Sequence, residues 1–259
     1  MNTVNLKGLR VLNTRPLRQG EELNQRIIIA GGLPVSCPAL DIGPPAQDWR
    51  PLLPNLDDVQ QAIFVSANAV TFSIPVLLEN QFAWPEHIQI TAVGKATAQA
   101  LKSLQLRVDN IPENSDSEHL LMMNNLQAVH SETILLFKGE GGRTLIANTL
   151  TERGAKLIEL NVYQRLFPDF NREKLEQWWR DDCVDIILFT SQEAIQNIVT
   201  MFGKSAQQAW LKRTPCLVIS ERLAQFASKS GIKNIVICSP DTIIEALNQF
   251  NRGRIHGKY

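Results

Sequence analysis

RVLNTRPLRQGEELNQRIIIAGG, residues 10–32, opens on an apolar run, breaks at Thr14-Arg15-Pro16 and continues as a helical pattern that stops at Gly31-Gly32. TILLFKGEGGRTLIANTLTERG, residues 133–154, follows the same plan, and its Ile134 stands 123 positions after Val11. Two more blocks repeat in the same order. AIFVSANAV (62–70) matches ILFTSQEAI (187–195), with Phe64 and Phe189 125 apart, and AVGKATAQAL (92–101) matches VISERLAQFA (218–227), with Val93 and Ile219 126 apart. Three blocks at nearly constant spacing indicate an internal duplication. Each block turns from an apolar run to a helix at Thr, Ser, Gly, Lys or Arg. Open α/β sheets present their ligand-binding groups at such turns.

The surrounding chain alternates strand and helix. The pattern predicts strands over 10–14, 62–66, 90–94, 133–138, 157–163, 184–190, 216–220 and 234–238. Between them it predicts helices over 18–31, 68–79, 95–104, 143–153, 171–180, 192–202, 221–230 and 241–250. Pro75 should kink or break its helix. Val35–Ile42, with Pro38, reads as an edge strand or linker. Ser115 or Ser117 should cap a helix running through SEHLLMMNNL, and the tail 251–259 should be frayed. Strand–helix–strand at this spacing means parallel strands with right-handed crossovers. The fold class is α/β, two doubly wound parallel-sheet domains.

Composition excludes several functions. Lys plus Arg and Asp plus Glu both number 26, so no bulk charge attracts nucleic acid or an anionic membrane. The N-terminus lacks the charged and apolar regions of a signal peptide, and no apolar run reaches the ~20 residues of a membrane span. Cys37, Cys183, Cys216 and Cys238 contain no CxxC pair and read as reduced thiols of a cytosolic protein. His87, His119, His130 and His256 show no ligand spacing, so no metal site is expected.

The turns carry the chemistry. Lys138-Gly-Glu-Gly-Gly-Arg143 can aim backbone N–H groups at an anion, through Gly141 and Gly142, where the next helix begins. It is neither a dinucleotide fingerprint nor a phosphate-binding P-loop. Arg15 can grip a carboxylate or phosphate in bidentate fashion. Ser66, with Asn68 beyond it, and Ser191 are helix N-caps by chemistry, which does not exclude ligand contact. Lys95 with Thr97, and Ser220 with Arg222, each bring a hydroxyl and a cation to a helix start. The set is rich in hydrogen-bond donors and poor in nucleophile–base pairs, as a polyanion site would be. Tyr163 ends a strand near Arg165; on the residues alone it reads as an ordinary half-buried tyrosine.

VLNTRP, FVSANAV, AVGKATAQAL, SEHLL, ILLFKGEGGR, GAKLIELNVYQR, FTSQEAI and VISERLA, in that order, resemble the uroporphyrinogen-III synthase family over about residues 10 to 250. The resemblance implies a cytosolic, cofactor-free cyclising hydro-lyase of tetrapyrrole synthesis; a monomer needs no further assumption, and the balanced charge calls for neither membrane nor nucleic acid. It would close hydroxymethylbilane into uroporphyrinogen III, losing water and inverting ring D, with the substrate between two domains. It implies Tyr163 as the catalytic hydrogen-bond donor or general acid and Thr97 as a substrate contact. Ser220-Glu-Arg222 departs from the family's usual turn, so Arg222 stands where a threonine contact would be carried over.

The family architecture also implies that each domain mixes the repeats. Residues 1–36 would join 170–259, 42–162 would form the other domain, and linkers 37–41 and 163–169 would connect them. SCPAL and YQRLFPD would pair as a two-stranded β linker. A transient contact with hydroxymethylbilane synthase is left open. A non-catalytic protein that holds a polycarboxylate or tetrapyrrole remains the alternative, and a nucleotide-binding regulator lacks its phosphate fingerprints.

Overall fold

The computed structural model describes residues 4–79, 84–203 and 205–255. Among them the chain divides into two compact units, Met1–Asp41 with Leu166–Tyr259, and Ile42–Arg165.

The first unit is built on β1 (Arg10–Asn13), β2 (Leu33–Ser36), β8 (Ile186–Phe189), β9 (Cys216–Val218) and β10 (Ile235–Ile237). Its sheet order is β10-β9-β8-β1-β2, and the pairs are parallel. Around it lie α1 (Leu17–Ile29), α6 (Arg172–Arg180), α7 (Gln192–Met201), α8 (Ser205–Arg213), α9 (Glu221–Lys229) and α10 (Ile243–Ile255). The second unit carries β3 (Asp41–Gly43), β4 (Gln61–Phe64), β5 (Gln89–Ala92), β6 (Thr133–Gly139) and β7 (Lys156–Leu166), in the order β3-β7-β6-β4-β5. Its helices are α2 (Ala67–Leu78), α3 (Lys95–Ser103), α4 (Ser117–Leu121) and α5 (Leu145–Glu152). Thus β6–α5, the second copy of the first repeat, shares a sheet with the first copies of the other two blocks, β4–α2 and β5–α3.

Strand alternation explains why both faces of each sheet are covered. In the second unit Ala62, Phe64, Leu135 and Phe137 face one apolar cluster, while Ile63, Ile134 and Leu136 face another. Phe64 and Phe137, paired in register, stack with centroids 4.4 Å apart. In the first unit Leu12, Ile187 and Phe189 face one cluster, and Val11, Ile186 and Leu188 the other.

Several expectations need correction. Helix α2 runs through Pro75. The missing N–H and ring clash cost about 3 kcal/mol, and burial of Val70, Ile74 and Leu77 on the same helix offsets this. The cap of α4 is Asp116, between the two expected serines; its carboxylate accepts from His119 N, and α4 ends at Leu121. Residues 205–213, given no element by the pattern, form α8 and bury Trp210 and Leu211. The tail is not frayed as far as Ile255: Asn251 Nδ2 donates to Leu6 O at 2.7 Å and Arg254 pairs with Asp185. His256 and the rest of that tail lie outside the described residues. The expected extended stretch 35–42 divides between two sheets, and the strand beside β7 is Asp41–Gly43 rather than 36–40.

Candidate active site

Parallel strands end on one edge, and a crevice opens where the chain reverses its direction of winding across the sheet. In the second unit the chain passes from β4 out to β5, then returns to β6 on the other side of β4. The turns after β4 and β6 therefore flank the reversal. In the first unit the reversal falls between β1 and β8, beside Arg15 and Ser191.

Tyr163 lies at the second unit's reversal. Only 2% of it is exposed, and its Oη is 3.2 Å from Ser66 Oγ. Ser66 caps α2 by accepting from Ala69 N at 3.1 Å. With one lone pair so used, the serine can donate its own hydrogen to the phenolic oxygen, leaving the phenol O–H for a ligand. Phe72 lies 6.1 Å from the tyrosine ring between centroids, and the Arg165 guanidinium is 5.9 Å from it. The tyrosine is thus fully packed, not half-buried.

The Gly-rich turn adjoins it. Glu140 N donates to Tyr163 O at 2.8 Å, and the Glu140 carboxylate accepts from Ala46 N at 2.6 Å. Gly141 and Gly142 have φ of +68° and +83°, the left-handed region that glycine enters freely. Thr144 stands at the cap of α5 without a side-chain cap bond among the described residues, so the first N–H groups of that helix are not held by a side-chain cap. Arg143 meets Glu118 at 3.3 Å, with both side chains more than half exposed. Such a pair contributes about 0–1 kcal/mol and gives way readily to a ligand carboxylate.

Lys138 sits apart from this group. It belongs to β6 and points to the opposite face, where its Nζ bonds Glu159 at 2.7 Å. Lys95 is exposed at the first position of α3, while Thr97, two residues on, is 3% exposed. Asn68 is half-buried in the first turn of α2.

In the first unit Ser191 caps α7 through Ala194 N at 3.1 Å, and Ser220 caps α9 through Leu223 N at 3.3 Å. Arg222 is exposed on α9. Arg15 is half-buried, and burial holds its guanidinium below its ordinary pKa. Its Nε is buried with no hydrogen-bond partner among the described residues. An unpaired buried donor is costly, and a bound carboxylate would remove that cost. Asn13, buried behind it, accepts from Arg15 N at 3.2 Å and donates to Gly20 O and Asn24 Oδ1.

Asn13, Asn24, Phe72 and Glu140 went unread in the sequence. Glu140 alone had a signal, its place inside KGEGGR. Among the described residues no group of three or more His, Cys, Asp or Glu side chains is placed to hold a metal ion, and no helix is long and apolar enough to cross a membrane.

Fold and turns together define a duplicated, doubly wound α/β protein with hydroxyls, cations and helix starts at the carboxyl edge of each sheet. A family model described as uroporphyrinogen-III synthase HemD matches residues 21–247. The chain is 30% identical over 248 residues to uroporphyrinogen-III synthase of Escherichia coli (strain K12), covering 92% of this chain and 99% of that protein. It is 32% identical over 193 residues to the synthase of Proteus mirabilis, covering 73% and 97%. Crystal structures of a mutant uroporphyrinogen III synthase from Thermus thermophilus and of the Helicobacter pylori enzyme share the fold. Their TM-scores are 0.64 and 0.60 at 20% and 15% identity, covering 96% and 95% of this chain and 100% and 99% of theirs. The chain belongs to the uroporphyrinogen-III synthase family.

Proposed function

We propose that the chain is a cyclising hydro-lyase that closes hydroxymethylbilane to uroporphyrinogen III, with loss of water and inversion of ring D. Beyond family membership, the observation that carries this reading is the Tyr163 hydroxyl held by Ser66 at the carboxyl edge where the winding reverses between β4 and β6. The C–O bond of the hydroxymethyl group breaks, and the hydroxyl leaves as water with a proton that Tyr163 supplies or steers. The substituted carbon of ring D attacks the resulting azafulvene cation; the spiro product fragments by breaking that carbon's original bond to the bridge from ring C, and the free α-carbon of ring D then closes the ring and loses its proton, leaving ring D inverted.

The reacting carbons all belong to the substrate, so the protein's task is to hold one conformer. Orientation alone can supply about 7–11 kcal/mol of barrier lowering. The eight substrate carboxylates suit the donors present: Arg15, Ser191, Ser220 and Arg222 in the first unit, and Ser66, Asn68, Lys95, Thr97, Arg143 and the Gly141-Gly142 amides in the second. Lys138, already paired with Glu159, fits a supporting role for the Gly-rich turn.

Every assigned group lies in one chain, so a monomer suffices, and four free cysteines suit the cytoplasm. The instability of hydroxymethylbilane gives a reason for transient contact with hydroxymethylbilane synthase.

The test is to supply purified hydroxymethylbilane and separate the product isomers. The chain should give the III isomer in excess over the I isomer that forms spontaneously. A product mixture equal to the protein-free control would defeat the proposal and favour a binding protein.

A further inference from the structure

Strand β7 changes face at Tyr163. Side chains two apart on a strand share a face, and Leu160 and Val162 accordingly lie in the apolar cluster under α2 and α3. Regular alternation would send Tyr163 to the other face, with Glu159 and Asn161. It lies instead in the same cluster as Leu160 and Val162. The register explains how: Lys138 pairs with Asn161, but Gly139 pairs with Tyr163, so Val162 is passed over. One extra residue turns the tyrosine towards Ser66. Bulges beside reactive sites re-aim side chains in this way.

Gly139 completes the arrangement. A Cβ there would fall 2.6 Å from Tyr163 Cζ and 3.0 Å from Oη, so any other residue at 139 would push the ring away.

We propose that Gly139 and the bulge at Val162 are positioning elements of the reaction, fixing the Tyr163 hydroxyl against Ser66 by one missing Cβ and one unpaired residue. This rests on the catalytic reading of Tyr163 given above. The bulge selects the face, and the glycine sets how closely the phenol approaches β6.

The chain has two tyrosines, Tyr163 and Tyr259. Labelling the Tyr259→Phe protein with 3-fluorotyrosine therefore gives one fluorine resonance, from position 163. Gly139→Ala should move that resonance and lower kcat at least tenfold while changing KM less than threefold. In a double-mutant cycle, adding Gly139→Ala to Tyr163→Phe should lower kcat less than twofold further, because the glycine acts through the hydroxyl already removed. An unmoved resonance, or effects that multiply, would overturn the positioning role and leave the proposed function intact. Wild-type turnover in Tyr163→Phe would overturn the catalytic reading itself, whatever the resonance does. Should Gly139→Ala fail to fold, Ser66→Ala with Gly139 intact must move the same resonance; a fixed signal there contradicts the proposal.

Discussion

The hydroxyl of Tyr163 lies 3.2 Å from that of Ser66, and the same serine oxygen caps α2. On the proposed function one side chain therefore serves stability and chemistry, and substitutions can separate the two. Ser66→Ala should destabilise by about 1 kcal/mol and Ser66→Gly by only a few tenths, because glycine tolerates the cap conformation. Both remove the partner of Tyr163, so both should lower turnover by the same several-fold. Denaturant melts and turnover measured side by side check this. Turnover that follows stability would show that Ser66 acts only as a cap.

Gly141 and Gly142 hold left-handed backbone, yet a Cβ at either position meets nothing within 4 Å among the described residues. Gly141→Ala and Gly142→Ala should each cost about 1–2 kcal/mol, the price of that conformation for an L-residue, without steric displacement of neighbours. Urea unfolding measures the cost. A loss above about 3 kcal/mol would point to contacts that the turn does not show.

Asp185 joins the two ends of the first unit's chain, binding Arg10 at 2.7 Å and also pairing with Arg254. Burial opposes its ionisation, but hydrogen bonds from Arg10 and the charges of Arg254 and Arg10 outweigh it and hold its carboxyl below the usual range. A lowered folded pKa favours folding above the unfolded value, near 4, and that contribution disappears as pH falls through the folded value. Asp185→Asn should lose roughly 1.5–3 kcal/mol at pH 7 and flatten the acid limb of the stability profile. An unchanged limb would assign acid sensitivity to other carboxylates.

Burial pushes the thiols of Cys37 and Cys216 up to about 12. Thiolates are the reactive form, so at pH 8 iodoacetamide should leave both unmodified in the folded protein and label them after unfolding. Peptide mass mapping reads the result. Rapid native labelling would mean that the segment after β2 opens locally, for Cys37, or that β9 does, for Cys216.

The strand ends and caps were legible because their causes are local. The apolar runs ILLF and IILF stop at turn residues, and SAN and TSQ carry the hydroxyls that cap α2 and α7. Long-range causes were not legible. Nothing in NVYQR marks Val162 as the passed-over residue, since valine and tyrosine both suit a regular strand. The Asp185 clamp draws on residues 10, 185 and 254, which no spacing rule connects. Pro75 does not break α2, because the local helix-breaking rule met a helix held by its buried face. In α8, few apolar residues stand among Gln, Lys and Arg, so its periodicity is faint even though Trp210 anchors it in the core.

The most direct test of the central claim is the single-turnover rate and product isomer of Tyr163→Phe on purified hydroxymethylbilane. A positioned proton donor typically contributes about 10²–10⁴-fold, but water and the remaining donors replace part of it where orientation does most of the work. Turnover should therefore fall by roughly ten- to a hundredfold, with the III isomer still in excess. Turnover at the wild-type rate would contradict the role of Tyr163, and product identical to the protein-free mixture would contradict catalysis by conformer selection.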